Sequence, residues 1–363
     1  MMLRKVIRFV QNEKLVPVYS SMLAIVAGLL VGFVILLLLN PSQSIQAFFT
    51  MLFAGLSNGP TSIGNVIYFA SPIILTGLSV GFAFRTGLFN IGATGQLLTG
   101  GYIALLIGIR TTVFGPFTWL IALICAAITG ALWSVIPGLL KMYKGVHEVV
   151  TTIMMNYVAL FLVNFLVKQT IYNNLKNESL PAPADAVIPK FGLDHIFVNS
   201  NVQGGVFIAI LMVIIIYVIL NKTVFGFELK SVGYNKHASK YAGINVKLRG
   251  LQALMISGAI AGTAGAVIYL SDSLTFLKVQ NTLPTQGFMG ISVALLGLND
   301  PIGIVFSGLF FGYLIVGGQK MQIFGLSPEV IDIITGMIVY FSALAIVFQN
   351  AAKRIFRMKA VDE

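Results

Sequence analysis

Charge is scarce in this chain. Asp, Glu, Lys and Arg make up 10% of its 363 residues against 57% hydrophobic, a balance that no water-soluble globular domain carries. Cysteine is nearly absent. The single Cys125 lies in an apolar run, which excludes an intrachain disulfide and a thiolate metal cluster. The three histidines, His147, His195 and His237, are scattered, so no metal site is expected. No G-x-x-x-x-G-K-[ST] phosphate loop occurs, so the chain does not bind ATP in that manner. Neither H-E-x-x-H nor G-x-S-x-G occurs, which leaves an intramembrane enzyme without a nucleophile–base or metal pattern. Paired buried carboxylates at helix spacing are also scarce, and a proton or sodium relay needs them.

What is present is long apolar sequence. Mean hydropathy is +0.91, and many runs reach the roughly 20 residues needed to cross about 30 Å of hydrocarbon. The fold class is all-α: a polytopic integral membrane protein forming one transmembrane domain over 1–363. About ten transmembrane helices are expected, near 17–39, 64–84, 87–109, 117–140, 149–168, 205–221, 251–271, 286–298, 302–318 and 328–349. Arg4, Lys5 and Arg8 resemble a charged leader. The run from Val16 to Leu39 is too long for the usual signal-peptide core, however, and Asn40-Pro41 is no small-residue cleavage site, so the first span is expected to be retained.

Net charge is +11, with the basic residues in loops and at both ends. That placement points to orientation and anionic lipid contact, not to nucleic acid. The stretch from Lys222 to Gly250 holds Lys222, Lys230, Lys236, Lys240, Lys247 and Arg249 against one acid, Glu228. By the positive-inside rule this loop faces the cytosol, with Arg85, Lys141, Lys144 and the tail bearing Lys353, Arg354, Arg357 and Lys359. Both termini are then cytoplasmic and the polar segment 169–204, with Pro181, Pro183 and Pro189, lies outside. Arg110, Lys278 and Lys320 fall on the wrong side of this count. Within the loop, Lys236 to Ala242 holds no helix breaker and Gly243 can end a short helix there. It is either a solvated, topology-setting loop or a handle for a cytosolic partner.

Two short, interrupted segments, 87–109 and 284–298, each follow a full span, and those spans run in opposite senses. The second is about a dozen apolar residues, or roughly 18 Å, too short to cross alone. This is what an inverted repeat leaves, with re-entrant or broken segments and a pathway between the halves; close helix packing by glycine is the competing explanation.

The strongest local signal is Phe89-Asn90-Ile91-Gly92-Ala93-Thr94-Gly95-Gln96. Its small residues permit a broken helix, tolerated at membrane depth only where it lines protein or a cavity. Asn90 and Gln96 are either the wall of a pathway or interhelical glue. Glu148, Thr152 and Asn156 recur every four residues as one polar stripe. Glu148 is expected to cap the helix start, and Asn156, about 12 Å deeper, is the pathway candidate. Ser327-Pro328-Glu329 reads as a helix start, with Asp332 one turn on either facing a pore or not. Gln280, Asn281 and Gln286 flank Pro284, and Asp300-Pro301 reads as a turn.

Four stretches carry a resemblance: GLFNIGATGQLLTGGYIAL (87–105), GVHEVVTTIMMNYVAL (145–160), SVGYNKHASKYAGI (231–244) and QGFMGISVALLGLNDPIGI (286–304). The chain resembles the permease subunits of ABC importers in the ribose and branched-chain amino-acid class, closest to the nucleoside (purine, guanosine-like) uptake subgroup. The resemblance implies a multi-pass protein of the bacterial plasma membrane that moves nucleosides by alternating access. A sugar or another small polar solute is the alternative, and a secondary transporter a weaker one. It also implies partners: a cytosolic ABC ATPase that binds the ATP and Mg, a second permease of different sequence, and an external substrate-binding lipoprotein. No cofactor is expected in this chain. By resemblance 231–244 is the coupling loop that meets the ATPase, with Gly233, Asn235, Lys236, His237, Lys240, Tyr241 and Gly243 as its residues. Asn90, Gln96, Asn156 and Gln286 are then expected to wall the pathway with neutral hydrogen bonds, and Phe89 and Phe288 to stack on a base or sugar face. Thr94 departs from the family pattern, which often has an acid there.

Overall fold

The computed structural model describes residues 16–111, 113–325 and 329–344. The helices of the membrane region are α1 (Val16–Leu39), α2 (Ser44–Ser57), α3 (Pro60–Arg85), α4 (Ala93–Arg110), α5 (Thr118–Lys144) and α6 (Glu148–Thr170). A polar segment follows, with strands β1 (Tyr172–Asn173) and β2 (Glu178–Ser179) and the single turn α7 (Leu193–Ile196). Then come α8 (Gly205–Lys222), α9 (Val224–Tyr234), α10 (Lys236–Tyr241), α11 (Val246–Tyr269), α12 (Thr285–Leu296), α13 (Pro301–Met321) and α14 (Glu329–Ala343). Apart from the two-residue strands the described chain is all-α, and this is a multi-pass membrane protein.

Each of the ten expected segments holds a helix, although 87–92 is a break before α4 and residues 328 and 345–349 of the last lie outside the described residues. Among the described residues, α3, α5, α6, α8, α11 and α13 are long and apolar enough to cross a membrane. The twelve residues of α12 reach only about 18 Å at 1.5 Å per residue. The helix α2 is not anticipated by the sequence reading. Its apolar run is interrupted by Ser, Gln and Thr, and 14 residues are too few to span. It lies instead across α13, where Tyr313 Oη donates to Leu52 O and Lys320 Nζ donates to Ser57 Oγ at 2.7 Å.

α3 and α11 form the centre, because small and apolar residues surround both. Every residue of α3 from Ala70 to Ala83 is buried. α11 packs on α4 and α5, while α3 packs on α12 and α13, and α3 and α11 also pack on each other. Exchanging the two halves therefore exchanges the neighbours, as an inverted repeat requires. Both pairings depend on glycine four apart. A Cβ on Gly130 of α5 would lie 2.9 Å from Gly262 Cα of α11, and one on Gly312 of α13 would lie 2.7 Å from Val66 O of α3. Such approach is possible only without a side chain. A smaller core sits to one flank, where α14 packs on α1 and α2 packs on α1 and α13: Leu36, Ala47, Met51, Leu314, Ile334 and Ile338.

The two ends of the bundle differ. At the basic end α3 finishes in Arg85, α5 in Lys141 and Lys144, and α8 in Lys222, beside α9 and α10. At the other end residues 171–204 form a strap rather than a free loop. Backbone bonds lace it to the loop before α12: Ser179 N to Leu277 O and Ala182 N to Thr275 O, both 2.9 Å, and Ile188 N to Leu270 O, 2.9 Å. Lys190 pairs with Asp272 at 2.8 Å, and that hydrogen bond holds the ammonium pKa above the usual lysine value. The three basic residues that broke the charge rule are tied up at this end. Arg110 donates to Thr170 O, Lys278 bridges to Glu178 through the backbone, and Lys320 reaches Ala54 O and Ser57. Arg4, Lys5, Arg8, Ser327, Pro328, the basic residues of the tail and the side chains of Glu329 and Asp332 lie outside the described residues.

Candidate functional site

Three places carry polar chemistry, stacked along the axis between the halves. The middle one is the break between α3 and α4. The chain turns there at Gly87, φ +71°, a conformation glycine adopts without Cβ strain. Asn90 then fills the break. Its Nδ2 donates to Gln96 Oε1 at 2.9 Å and to Ser257 Oγ at 2.7 Å, and its Oδ1 accepts from Gly92 N at 3.0 Å. Ser257 of α11 in turn donates to Ser79 O of α3 at 2.7 Å, so one side chain stitches the break to both central helices. Asn156 reaches over from α6. Its Oδ1 accepts from Gly95 N at 2.8 Å, capping an otherwise orphan first-turn donor of α4, and its Nδ2 donates to Ile91 O at 3.0 Å.

Asn90, Gln96 and Asn156 are thus brought together. All three are buried with their bonds spent on protein, and they line neither the cavity between α3, α11, α12 and α13 nor the one beside Arg85 and Gly233. In this conformation they act as interhelical fasteners. Phe89 packs on Phe84, ring centroids 4.7 Å apart, and Phe288 sits on the exposed side of α12. Neither reaches those cavities. Glu148 differs from expectation. His147 Nδ1 accepts from Val149 N at the start of α6, while the Glu148 carboxylate pairs with Lys141 Nζ at 2.5 Å. Glu148 is still in the first turn, one residue after the cap. Asp300, read as a turn residue, caps α13 by accepting from Ile302 N and Gly303 N at 3.0 and 3.3 Å.

Toward the strap end lies a cavity of about 300 Å³ between α3, α11, α12 and α13. That is the lower end of the range for small-molecule sites, about 300–1,000 Å³. Tyr68 and Phe69 supply aromatic surface, and Pro72, Ile73, Met289 and Ile315 apolar wall. Four amides border it: Gln203, Gln286, Gln319 and Gln322. Of the residues expected to wall a pathway, only Gln286 is here. Gln280 and Asn281 are not. Beneath the cavity α12 closes on the first half. A Cβ on Gly290 would lie 2.7 Å from Thr76 Oγ1, and Thr76 Oγ1 donates to Gln286 O at 3.0 Å. Gln203 was missed because it lies in the polar segment, which carries no motif. Ser79 and Ser257 were missed because single serines in apolar helices give no spacing signal.

The third place is the elbow at the basic end. Two helices form it where one was expected. Asn235 starts the second, its Oδ1 accepting from His237 N and Ala238 N at 3.0 Å each, and Gly243 ends it at φ +82°. Lys236, His237, Lys240 and Tyr241 point to solvent, Tyr241 almost fully at 95%. Gly233 does not face outward alone; it lies against Arg85 O and Gly87 N. Two cations of the stretch are structural. Arg249 pairs with Glu228 and stacks over Phe225, and Lys247 sits over Tyr143. No cluster of three metal-ligating side chains occurs among the described residues.

Residues 62–343 match the family model described as branched-chain amino acid transport system / permease component. The chain is 39% identical to the guanosine ABC transporter permease protein NupP of Bacillus subtilis (strain 168), over 92% of this chain and 93% of that one. It is 33% identical to the nucleoside ABC transporter permease protein NupB of Lactococcus lactis subsp. cremoris (strain MG1363), over 97% of each. It is 30% identical to the glucose ABC transporter permease protein TsgB13 of Haloferax volcanii, over 89% of this chain and 86% of that one. No solved structure matches it. These relatives are transport subunits, not enzymes, and this chain belongs to the family of branched-chain amino acid transport system permease components.

Proposed function

We propose that this permease conducts nucleosides, of purine type, through the space between its two halves, as one subunit of an ATP-driven importer. One observation carries the reading: the cavity between α3 and α11–α13 offers aromatic and apolar faces together with amide edges, the mixture a nucleoside presents in reverse. Similarity to a guanosine permease and to a nucleoside permease, each over more than nine-tenths of the chain, supports the same solute. Similarity to a glucose permease favours the second reading, a sugar.

The cavity is at the strap end, and fastened residues close the axis below it. If the elbow faces the cytosol, solute arrives from outside into this state. ATP and Mg bind a separate ATPase, which docks on the exposed side chains of α10. A second permease chain and an external binding lipoprotein complete the assembly, in a bacterial plasma membrane with both termini inside. The cavity then opens toward the other end when the elbow moves, because Gly233 bears on the break at Gly87.

Reconstitution of the whole importer in vesicles tests the solute. Labelled guanosine should accumulate only with ATP, and unlabelled glucose or ribose in excess should not compete. Accumulation of the sugar in preference to the nucleoside would sink the reading in favour of the second.

A further inference from the structure

A second cavity, of about 210 Å³, lies at the basic end. Phe84 and Arg85 of α3, Lys230 and Tyr234 of α9, and Leu298 and Asn299 of the turn before α13 line it. Both charged residues in that wall are cations. Lys230 is half-buried and has no ion pair or hydrogen bond among the described residues. Glu228, two positions earlier on α9, does not share its face and pairs with Arg249. Arg85 is aimed by its Nε, which donates to Asn299 O at 2.8 Å. Its contact with Asp300 is 3.7 Å, too long for a hydrogen bond, and Asp300 is committed to capping α13. The Arg85 side chain remains 32% exposed. Asn299 Oδ1 is buried, so that oxygen offers the cavity no lone pair. The turn that aims Arg85 is itself unusual: Leu298 and Asn299 are both left-handed, φ +57° and +55°. Residues with a Cβ avoid that region, and such strain collects at functional sites.

We propose that this cavity is a carboxylate receptor: one Asp or Glu side chain of the ATPase enters it and pairs with Lys230 and Arg85 together. The proposal rests on the ATP-driven reading above. Two cations facing one concave space repel each other, and the apolar walls of Phe84 and Leu298 strengthen their pull on an anion placed between them. The volume is below the range of small-molecule sites, which suits the end of one acidic side chain rather than a nucleotide. Position favours a protein acid over a lipid phosphate. The cavity sits at the end of α3, which is buried as far as Ala83, and Tyr234 in its wall directly precedes the cap of α10. Lys230 rides on the elbow and Arg85 on the central helix. One acid therefore grips both sides of the contact between Gly233 and Gly87, and the ATPase moves elbow and break as a unit.

The test uses the complete wild-type importer and a water-soluble carbodiimide, which joins an amine to a carboxylate in contact with it and leaves no spacer. Peptide mapping by mass spectrometry should find Lys230 joined to an Asp or Glu of the ATPase. Lys230 joined only to acids of this chain, or to nothing while Lys236 or Lys240 is joined to the ATPase, overturns the proposal. Retention of the ATPase at low ionic strength is measured beside it for Lys230→Gln and Lys222→Gln, the second removing an equal charge from the same stretch outside the cavity. Lys230→Gln should lower retention about tenfold, the loss expected for one charge-assisted hydrogen bond. Lys230→Arg should restore most of it, and Lys222→Gln should stay near wild type. Equal loss in both Gln variants would mean a diffuse field rather than a receptor, and no loss in Lys230→Gln an empty cavity; either overturns the proposal. If no lysine of the elbow is joined to the ATPase and charge reversal at Lys236 and Lys240 leaves retention unchanged, docking of the ATPase on this chain fails, and the receptor with it.

Discussion

Gly233 and Gly87 meet backbone to backbone. A Cβ on Gly87 would lie 3.3 Å from Gly233 Cα, and one on Gly233 would lie 3.1 Å from Gly87 N. The end of α9 therefore presses on the break between α3 and α4 with no side chain between them. Movement of the elbow reaches Asn90, three residues further on, through main chain rather than through a compliant side chain.

Substitution Gly233→Val should separate these backbones. Overpacking a tight contact costs about 1–3 kcal/mol. Uptake should fall at least about tenfold while the ATPase still co-purifies, because the exposed face of α10 is untouched. Wild-type uptake by a stably assembled Gly233→Val complex would show that the contact transmits nothing.

Charge reversal of Lys236 and Lys240 acts on the other side of the elbow. Both are exposed, with no ion pair among the described residues, so the permease itself should insert and fold normally. Retention of the ATPase in a pull-down should be lower than for wild type at low ionic strength and should fall less with added salt, because the attraction that salt screens is gone. Unchanged retention would remove α10 from the docking surface.

Asn156→Leu leaves Gly95 N and Ile91 O without partners at a buried helix start. Each orphan costs about 1–3 kcal/mol, so the melting temperature in detergent should drop clearly. Asn90→Leu should do the same, since four bonds are lost at once. A protein equally stable but inactive would instead put these residues in contact with solute.

Lys190 tethers the strap, and its raised pKa fixes the sign of the pH effect. A cation stabilised in the folded state contributes fully below its unfolded pKa of 10.5 and loses the contribution as pH rises through the higher folded value. The pair is well exposed, so the gain is under about 1 kcal/mol. Hydrogen exchange at Ile188 should be faster in Lys190→Met than in wild type at neutral pH, and the difference should shrink only above the ordinary lysine range. A difference that vanishes already at neutral pH would show that the ion pair does not hold the strap.

Much of this architecture was legible in composition and periodicity. Long apolar runs locate the helices because the backbone must satisfy itself in lipid, and the short helix from Lys236 follows from the lack of a breaker up to Ala242 and from Gly243 as its end. The pattern singled out Asn90, Gln96 and Asn156 as polar residues within apolar segments, on two separate motifs. It could not say whether their hydrogen bonds face solute or protein, since both uses need the same residue types. Gln203 and Tyr68 were illegible for a different reason: they line one cavity with Gln286 only through the packing of α3, α12 and the segment before α8, which no local pattern encodes. α2 escaped because half a span of mixed polarity looks like a loop until α13 offers it a surface.

Cysteine accessibility at position 286 tests the pathway between the halves most directly. In a Cys125→Ser background, Gln286→Cys should react with a membrane-impermeant thiol reagent added from the strap side. A purine nucleoside should protect it, and trapping the importer with ATP bound should abolish the reaction. A thiol that reacts at the same rate in every state, or never reacts, would contradict a solute route through this cavity.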